Sequence, residues 1–561
     1  MNALGGLMFV LHTHIPYVRL AGRWPHGEEW IHEAICESYI PLLRGFYALR
    51  KKEVDFKLVM SITPVLADQL ANQDIIQHLD YYLEERLNLA EIDIKSFQNP
   101  TVRHDYQDYD YLAALAQWYY EQYNAVREYW KNDLKGDIIG AFRELQDEGY
   151  LEIITSAATH AYLPLLKHDL AIDAQLKTAI HSYKKLFGKK PRGIWLPECG
   201  YRPAYLTKDG EIRKGLGAFL EKYDFEYFFS ETHAMIGGEP VGVAAGDVLG
   251  RYGAIKNRYV LDFESTERND NDTYQAYLLS EDDELTQVAV MGRNNVTGDQ
   301  VWSEKNGYPL DFDYREFNKR APTSGFQYWR VTDEQGNLGS KDYYHPDWAR
   351  YKIDQHAEHF SHLVHDLISS YHEATSEYGL VVSMYDTELF GHWWYEGVNW
   401  LMKVLKRISN NPAVDLVQAS AYLEAHPPTR SIHLPESSWG TGGGHFTWKN
   451  RETRWMWEAI NEVETAMIKI AAEYQQPDSK EEQTLNQMAR ELQLLQSSDW
   501  EFLVTSAQAR HYAVQRFRQH HQRFYILAES LAINQASNKL FRAIWDNDQL
   551  FSDIDYRVYQ P

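Results

Sequence analysis

At 561 residues the chain is too long for one ordinary hydrophobic core, which leaves roughly two to four domains or one large barrel with additions. A formal net charge of −24 works against nucleic acid or an anionic membrane as the main partner and leaves a neutral ligand such as sugar open. No apolar run approaches the roughly 20 residues that cross a bilayer, and two cysteines, Cys36 and Cys199, cannot build a disulfide scaffold, so a reducing cytoplasm is the expected location.

The first apolar stretch, Leu4 to Leu11, has no basic region ahead of it and reads as a buried strand rather than a signal peptide. It is the first of seven short runs that each lead into residues able to do chemistry. Leu7–Leu11 leads into His12-Thr13-His14, Phe56–Met60 into Ser61-Ile62-Thr63, and Leu151–Ile154 into Ala158-Thr159-His160. Gly193–Leu196 leads into Pro197-Glu198-Cys199, and Glu226–Phe229 into Ser230-Glu231-Thr232-His233. Gln287–Met291 leads into Gly292-Arg293-Asn294, and Leu380–Met384 into Tyr385-Asp386-Thr387-Glu388. Strands that present reactive residues at one end are the signature of a β/α barrel mouth.

Helical spacing lies between the strands, as in Asp173–Phe187 and Asp354–Tyr378. Residues 75–135 have helical spacing and no strand signal, so they read as a helical insertion. Residues 234–285 and 294–345 carry Gly, Asn and Asp clusters and read as long active-site loops. Beyond about residue 430 the pattern is helical only, in Trp455–Tyr474, Lys480–Gln496 and Ala507–Ala536. The expected class is α/β: a catalytic barrel of about seven strands over 1–428, joined near His426-Pro427-Pro428 to a C-terminal all-helical domain over 429–561.

His12 and His14 are alternate residues of a strand and share a face. They suit hydrogen bonds to sugar hydroxyls, a metal site, or two satisfied core histidines. Glu198, turned out by Pro197 between Trp195 and Tyr201, is a candidate nucleophile or a salt-bridged Glu. Asp386, ahead of the aromatic turn Phe390 to Trp394, suits a general acid or a structural cap. Glu388 reads as a buried hydrogen-bonding partner. Two carboxylates on separate strand ends match glycoside chemistry, with about 5–5.5 Å between them in retaining enzymes and about 6.5–9.5 Å in inverting ones. With 17 Trp and 39 Tyr, most aromatic rings must fill cores, but some can stack on sugar faces.

Taken together, His12-Thr-His-Ile-Pro-Tyr17, Gly193-Ile-Trp-Leu-Pro-Glu-Cys-Gly-Tyr201 and Tyr385-Asp-Thr-Glu-Leu-Phe-Gly-His392 resemble signature regions of glycoside hydrolase family 57. Trp24-Pro-His-Gly-Glu-Glu-Trp30, Val301-Trp302-Ser303, Ser437-Ser-Trp-Gly440 and Trp448 are similar to segments of its 1,4-α-glucan branching enzymes. The resemblance implies an incomplete (β/α)7 barrel, Glu198 as nucleophile, Asp386 as acid/base, and no metal or cofactor. It implies sugar binding by His12, His14 and His160 and by Arg293 near the site, with stacking on Trp30, Trp302, Trp439 and Trp448. Tyr252, in Gly246 to Ala254, matches a loop tyrosine that shields the intermediate from water, although the family's flanking prolines are missing. Asn294 stands where Arg-Asp is the family pattern. The implied partner is an α-1,4-glucan such as amylose or a glycogen-like polymer. The alternatives are an α-amylase or 4-α-glucanotransferase of the same family, a metal-dependent carbohydrate deacetylase built on His12 and His14, and a non-catalytic glucan-binding protein.

Overall fold

The seven strand runs form one curled, parallel sheet: β1 (Gly5–Thr13), β2 (Leu58–Ile62), β3 (Leu151–Ser156), β4 (Gly193–Trp195), β5 (Tyr227–Ser230), β6 (Glu284–Gly292) and β7 (Gly379–Asp386). This computed structural model describes the chain except residues 1–2, 24–25, 100–105, 208–209, 241–243, 249–254, 261–267, 282–283, 304–306, 334–336 and 534–537. The spatial order β7-β1-β2-β3-β4-β5-β6 is a cyclic permutation of the chain order. Closing the ring would require β6 to pair with β7. Instead the gap is spanned by single bonds, from the Asn294 N–H to the Val382 carbonyl at 2.9 Å and from the Leu380 N–H to the Tyr274 carbonyl at 2.7 Å. The barrel is therefore incomplete, as the family resemblance implies.

β1 is buried along its whole length, which is why it reads as a continuous apolar run. Its alternation sorts two layers. Leu7, Phe9 and Leu11 pack outward with Phe360 and Trp400 on the surrounding helices. Met8 and Val10 point inward to join Val59, Ile154, Trp195, Phe229, Met291 and Met384. His12 follows Val10 by two residues, so the same alternation aims it into the barrel.

The stretch 234–285, expected as a loop, holds a hairpin (Ala244–Val248 with Ile255–Val260) and the strand Ala276–Glu281. That strand runs antiparallel beside β6, with Tyr277 and Leu279 fully buried. The neighbouring Asn269-Asp270-Asn271-Asp272 run dominates a composition-based reading and hides this short strand. Residues 431–432 then pair in parallel with Leu278 and Leu279, so the chain is stitched to the barrel where a linker was expected.

Long helices Gln73–Gln98 and Tyr109–Glu128 lie within the insertion region. After the barrel come helices Arg454–Glu473, Ser479–Leu495, Asp499–Thr505 and Arg510–Ala532. Met456, Leu492, Trp500 and Phe517 from these helices share one continuous core with Ala157, Ile172, Ile194 and Phe228 of the barrel. Among the described residues, no helix is long and apolar enough to cross a membrane.

Candidate active site

Strand register brings the first two site residues together. β1 and β7 pair so that His12 lies opposite Asp386. A cavity of about 660 Å³ opens at these strand ends. Of the residues expected at the site, Glu198, Asp386, His12, His14, Trp30, His160, Arg293, Trp302 and Trp439 all line it.

Glu198 sits in a tight turn just after β4, where Pro197 starts a single helical turn. Its φ of 61° and that of Cys199, 50°, are left-handed, a costly geometry for non-glycine residues that persists only when the surroundings impose it. Trp439 does this from the far side. Its backbone N–H donates to the Glu198 carbonyl at 3.0 Å, and its indole N–H donates to Glu198 Oε2 at 2.6 Å. Burial pushes the Glu198 carboxyl up to about 7, opposed chiefly by the Trp439 hydrogen bond and reinforced by the charges of Asp499 and Asp386. Burial likewise raises Asp386 to about 6, against the nearby charges of Arg293 and His14.

A chain of hydrogen bonds reaches Glu198 Oε1. Ser498 Oγ lies 3.4 Å from that oxygen and 2.9 Å from His160 Nδ1. His160 Nε2 lies 3.1 Å from His12 Nε2, and His12 Nδ1 lies 3.3 Å from Ser61 Oγ. A carboxylate only accepts, so assigning the proton of Ser498 to Glu198 orders the rest. His160 then donates to Ser498, His12 to His160, and Ser61 to His12. Both imidazoles are neutral in this scheme. Burial, with His14 close by, holds both well below the ordinary histidine range, which agrees with it. Every donor in the chain points toward the Glu198 carboxylate.

His14 differs. Its Nε2 lies 3.0 Å from Asp499, and its Nδ1 3.0 Å from Thr63 Oγ1. Burial opposes its protonation, but Asp499 prevails and its pKa is raised, in contrast to the other two imidazoles. Its ring stacks on His160 with centroids 3.9 Å apart. The ring nitrogens of His12, His14 and His160 are thus already partnered. These partners fix the three rings in the wall that lines the cavity. Donor atoms of His14, His160 and Asp499 also lie within 4.8 Å of one another, a spacing that would suit a cation. The hydrogen bonds just described pair the two imidazoles and balance the Asp499 charge against His14.

Glu388 accepts hydrogen bonds from the Tyr39 hydroxyl at 2.5 Å and the His14 N–H at 3.2 Å. Burial raises its pKa to about 8, against the Tyr39 hydrogen bond, and it serves as a buried partner. Arg293 Nη1 pairs with Glu231 Oε1 at 2.6 Å. Asn294 does not line the cavity. It caps the helix Asn295–Trp302, its side chain accepting from the Thr297 N–H at 3.1 Å. Asn and Asp cap equally well, which accounts physically for Asn at this position.

Two expectations fall elsewhere. Trp448 is 1% exposed and lies outside the cavity, its ring stacked on Tyr162 with centroids 4.2 Å apart. It supports the Gly440 turn that carries Trp439 and has no face left for a sugar. Tyr252 lies outside the described residues. Sequence reasoning did not single out Ser498, Asp499, Trp393 or Phe502. Asp499, Trp393 and Phe502 line the cavity, and Trp393 and Phe502 are 42% and 38% exposed. Trp393 adjoins a recognised motif and was within reach. Ser498 and Asp499 begin a short helix about 300 residues from Glu198 and carry no local signal.

Residues 8–435 match the model for glycosyl hydrolase family 57, and residues 459–559 match that for the C-terminal region of 1,4-alpha-glucan branching enzymes. The chain is 43% identical over 559 residues to the 1,4-alpha-glucan branching enzyme TK1436 of Thermococcus kodakarensis, covering 98% of this chain and 78% of that protein. The crystal structure of TK1436 superposes with a TM-score of 0.88 at 41% identity, over 100% of this chain and 97% of that one. The branching enzyme of Pyrococcus horikoshii gives 0.86 at 41% identity, over 100% and 97% of the two chains. The alpha-amylase AmyC of Thermotoga maritima gives 0.80 at 29% identity, over 100% and 99%.

Proposed function

Because the chain belongs to glycosyl hydrolase family 57, we propose that Glu198 and Asp386 carry out a retaining transfer on α-1,4-glucan that makes this protein a 1,4-α-glucan branching enzyme. The observation that carries the reading is the placement of these two carboxyls on separate strand ends of one aromatic-walled cavity, with Glu198 clasped by Trp439. Glu198 attacks the anomeric carbon while Asp386 gives its proton to the departing glycosidic oxygen. A covalent glycosyl-enzyme results. Asp386, now a base, takes the proton of an acceptor 6-hydroxyl, whose oxygen displaces Glu198 and forms the α-1,6 link.

The electrostatics suit this exchange. Raised values of about 7 and about 6 leave the pair sharing one proton near neutrality. The higher value belongs to Glu198 even with the Trp439 donor in place, so the first step requires the shared proton to pass from Glu198 to Asp386. Trp30, Trp302 and the exposed Trp393 offer ring faces along the groove.

The test is incubation with amylose, counting α-1,6 links after debranching against new reducing ends. Branches should exceed reducing ends in the wild type, and reducing ends without branches would move the reading to the hydrolysis that the name of AmyC describes. Glu198→Gln should abolish turnover and keep amylose binding. If the wild type binds α-glucan but turns over none, the protein is a glucan-binding protein instead. Tyr252→Ala should raise reducing ends at the expense of branches if Tyr252 shields the intermediate.

A further inference from the structure

A second cavity, of about 460 Å³, lies between helices Ile40–Lys51, Tyr109–Glu128 and Gly397–Ile408. Its walls mix apolar side chains with three tyrosines, Tyr119, Tyr123 and Tyr395. Its charge is unusual for a protein of net charge −24, since Arg44, Lys52 and Arg315 line it against one acid, Glu37.

Glu37 is already committed. Its Oε2 lies 2.6 Å from His392 Nδ1, and its Oε1 accepts from the Tyr123 hydroxyl at 3.1 Å. Arg315 is 5% exposed. Its guanidinium donates to the Tyr119 hydroxyl and to the His392 carbonyl, each at 3.4 Å, and lies 4.3 Å above the Tyr395 ring. The nearby Glu396 accepts from the Arg315 backbone N–H instead, at 3.1 Å. Among the described residues no carboxylate pairs with this guanidinium. Of five N–H donors, two are spent, both on long bonds to neutral oxygens. Glu37 and Glu396 stabilise its charge from beyond ion-pair distance, and its remaining N–H donors are left for a further acceptor.

We propose that this cavity binds a small organic phosphate, a phosphomonoester on a sugar-sized or nucleoside-sized body. A doubly charged phosphate matches a lining of three cations, and guanidinium groups bind phosphate oxygens in pairs. Arg315 forms the buried floor of the site, and the exposed Arg44 and Lys52 flank its mouth. The tyrosines and Met402 receive the ring body, and the volume falls within the range of small-molecule sites. The site shares no lining residue with the catalytic cavity, although Glu37 and Arg315 both contact His392, which lines that cavity.

The experiment is calorimetric titration of the full chain with its catalytic cavity saturated by maltooligosaccharide. The probes are glucose 6-phosphate, AMP, inorganic phosphate and glucose. At least one phosphomonoester should bind saturably with one site per chain and more tightly than inorganic phosphate, and glucose should give no signal. Binding by glucose 6-phosphate alone identifies a sugar body, and binding by AMP alone a nucleoside body. The double variant Arg44→Glu/Lys52→Glu, at exposed positions, should fold, keep its amylose turnover and lose at least about tenfold in affinity. Absence of saturable binding by both esters overturns the proposal. So does inorganic phosphate binding as tightly as either ester, or unchanged affinity in the double variant.

Discussion

The Glu198 carboxyl is buried and yet must be an anion to attack. Burial alone works against that, so the donors around it decide its reactivity. The indole N–H of Trp439, at 2.6 Å, stabilises the charged form, which places Trp439 as a positioning residue as well as a cavity wall. Trp439→Phe keeps a flat ring and removes that donor. The Glu198 pKa, about 7 with the donor present, should then rise further. Because the first step needs the ionised form, the acid limb of the kcat profile should move to higher pH. A hydrogen bond to a charged group contributes about 1.5–3 kcal/mol, so turnover at neutral pH should fall roughly tenfold to a hundredfold. An unmoved acid limb would mean that Trp439 acts by packing alone. Asp499 is the comparable partner for His14, and it reaches the site from a helix that the barrel sequence does not contain.

At the scale of elements, the turns after the strands do the positioning. Gly391 closes the turn after β7 with a φ of 96°, and a Cβ there would lie 1.8 Å from the Glu37 carbonyl oxygen, so only glycine fits. The helix Asn295–Trp302 carries Trp302 into the cavity and begins directly after Arg293, with Asn294 as its cap. Asn294→Ala should cost about 1 kcal/mol of stability, seen as a lowered Tm, while Asn294→Asp should be nearly neutral. If both variants melt with the wild type, the cap contributes nothing and Asn294 needs another explanation.

At the scale of the whole molecule, the C-terminal helices are part of the barrel's core. Ile172, Ile194 and Phe228 share their apolar cluster with Met456, Leu492 and Trp500. The turn at Ser497 and Ser498 is also tied by backbone bonds to Ala161 and His160. Deleting 454–561 should therefore expose a large apolar face and give aggregated protein without turnover on amylose, read by soluble yield and size-exclusion profile. A soluble, cooperatively melting barrel would show that the two parts fold independently.

Much of this was legible in the chain because it is written locally. The seven strands announced themselves as short apolar runs, since both faces of a parallel barrel strand are buried. The acids and histidines stood at the ends of those runs, and the motifs around His12, Glu198 and Asp386 resemble one family. Asn294 read only as a departure from the family's Arg-Asp pattern, and its role as a cap came from the structure. Trp448 misled because a tryptophan inside a binding motif looks the same in sequence whether it faces sugar or supports the loop beneath. The strand Ala276–Glu281 was hidden because its pairing with β6 is a tertiary fact. Ser498 and Asp499 carry no local mark of function. They act only because a shared core folds the C-terminal helices onto the barrel and brings them to residues more than 300 positions away. The sequence by itself determined the seven barrel strands and which acids stand at their ends. Only the tertiary structure decided what surrounds those acids, and burial, donors and neighbouring charges set their ionisation through space rather than along the chain.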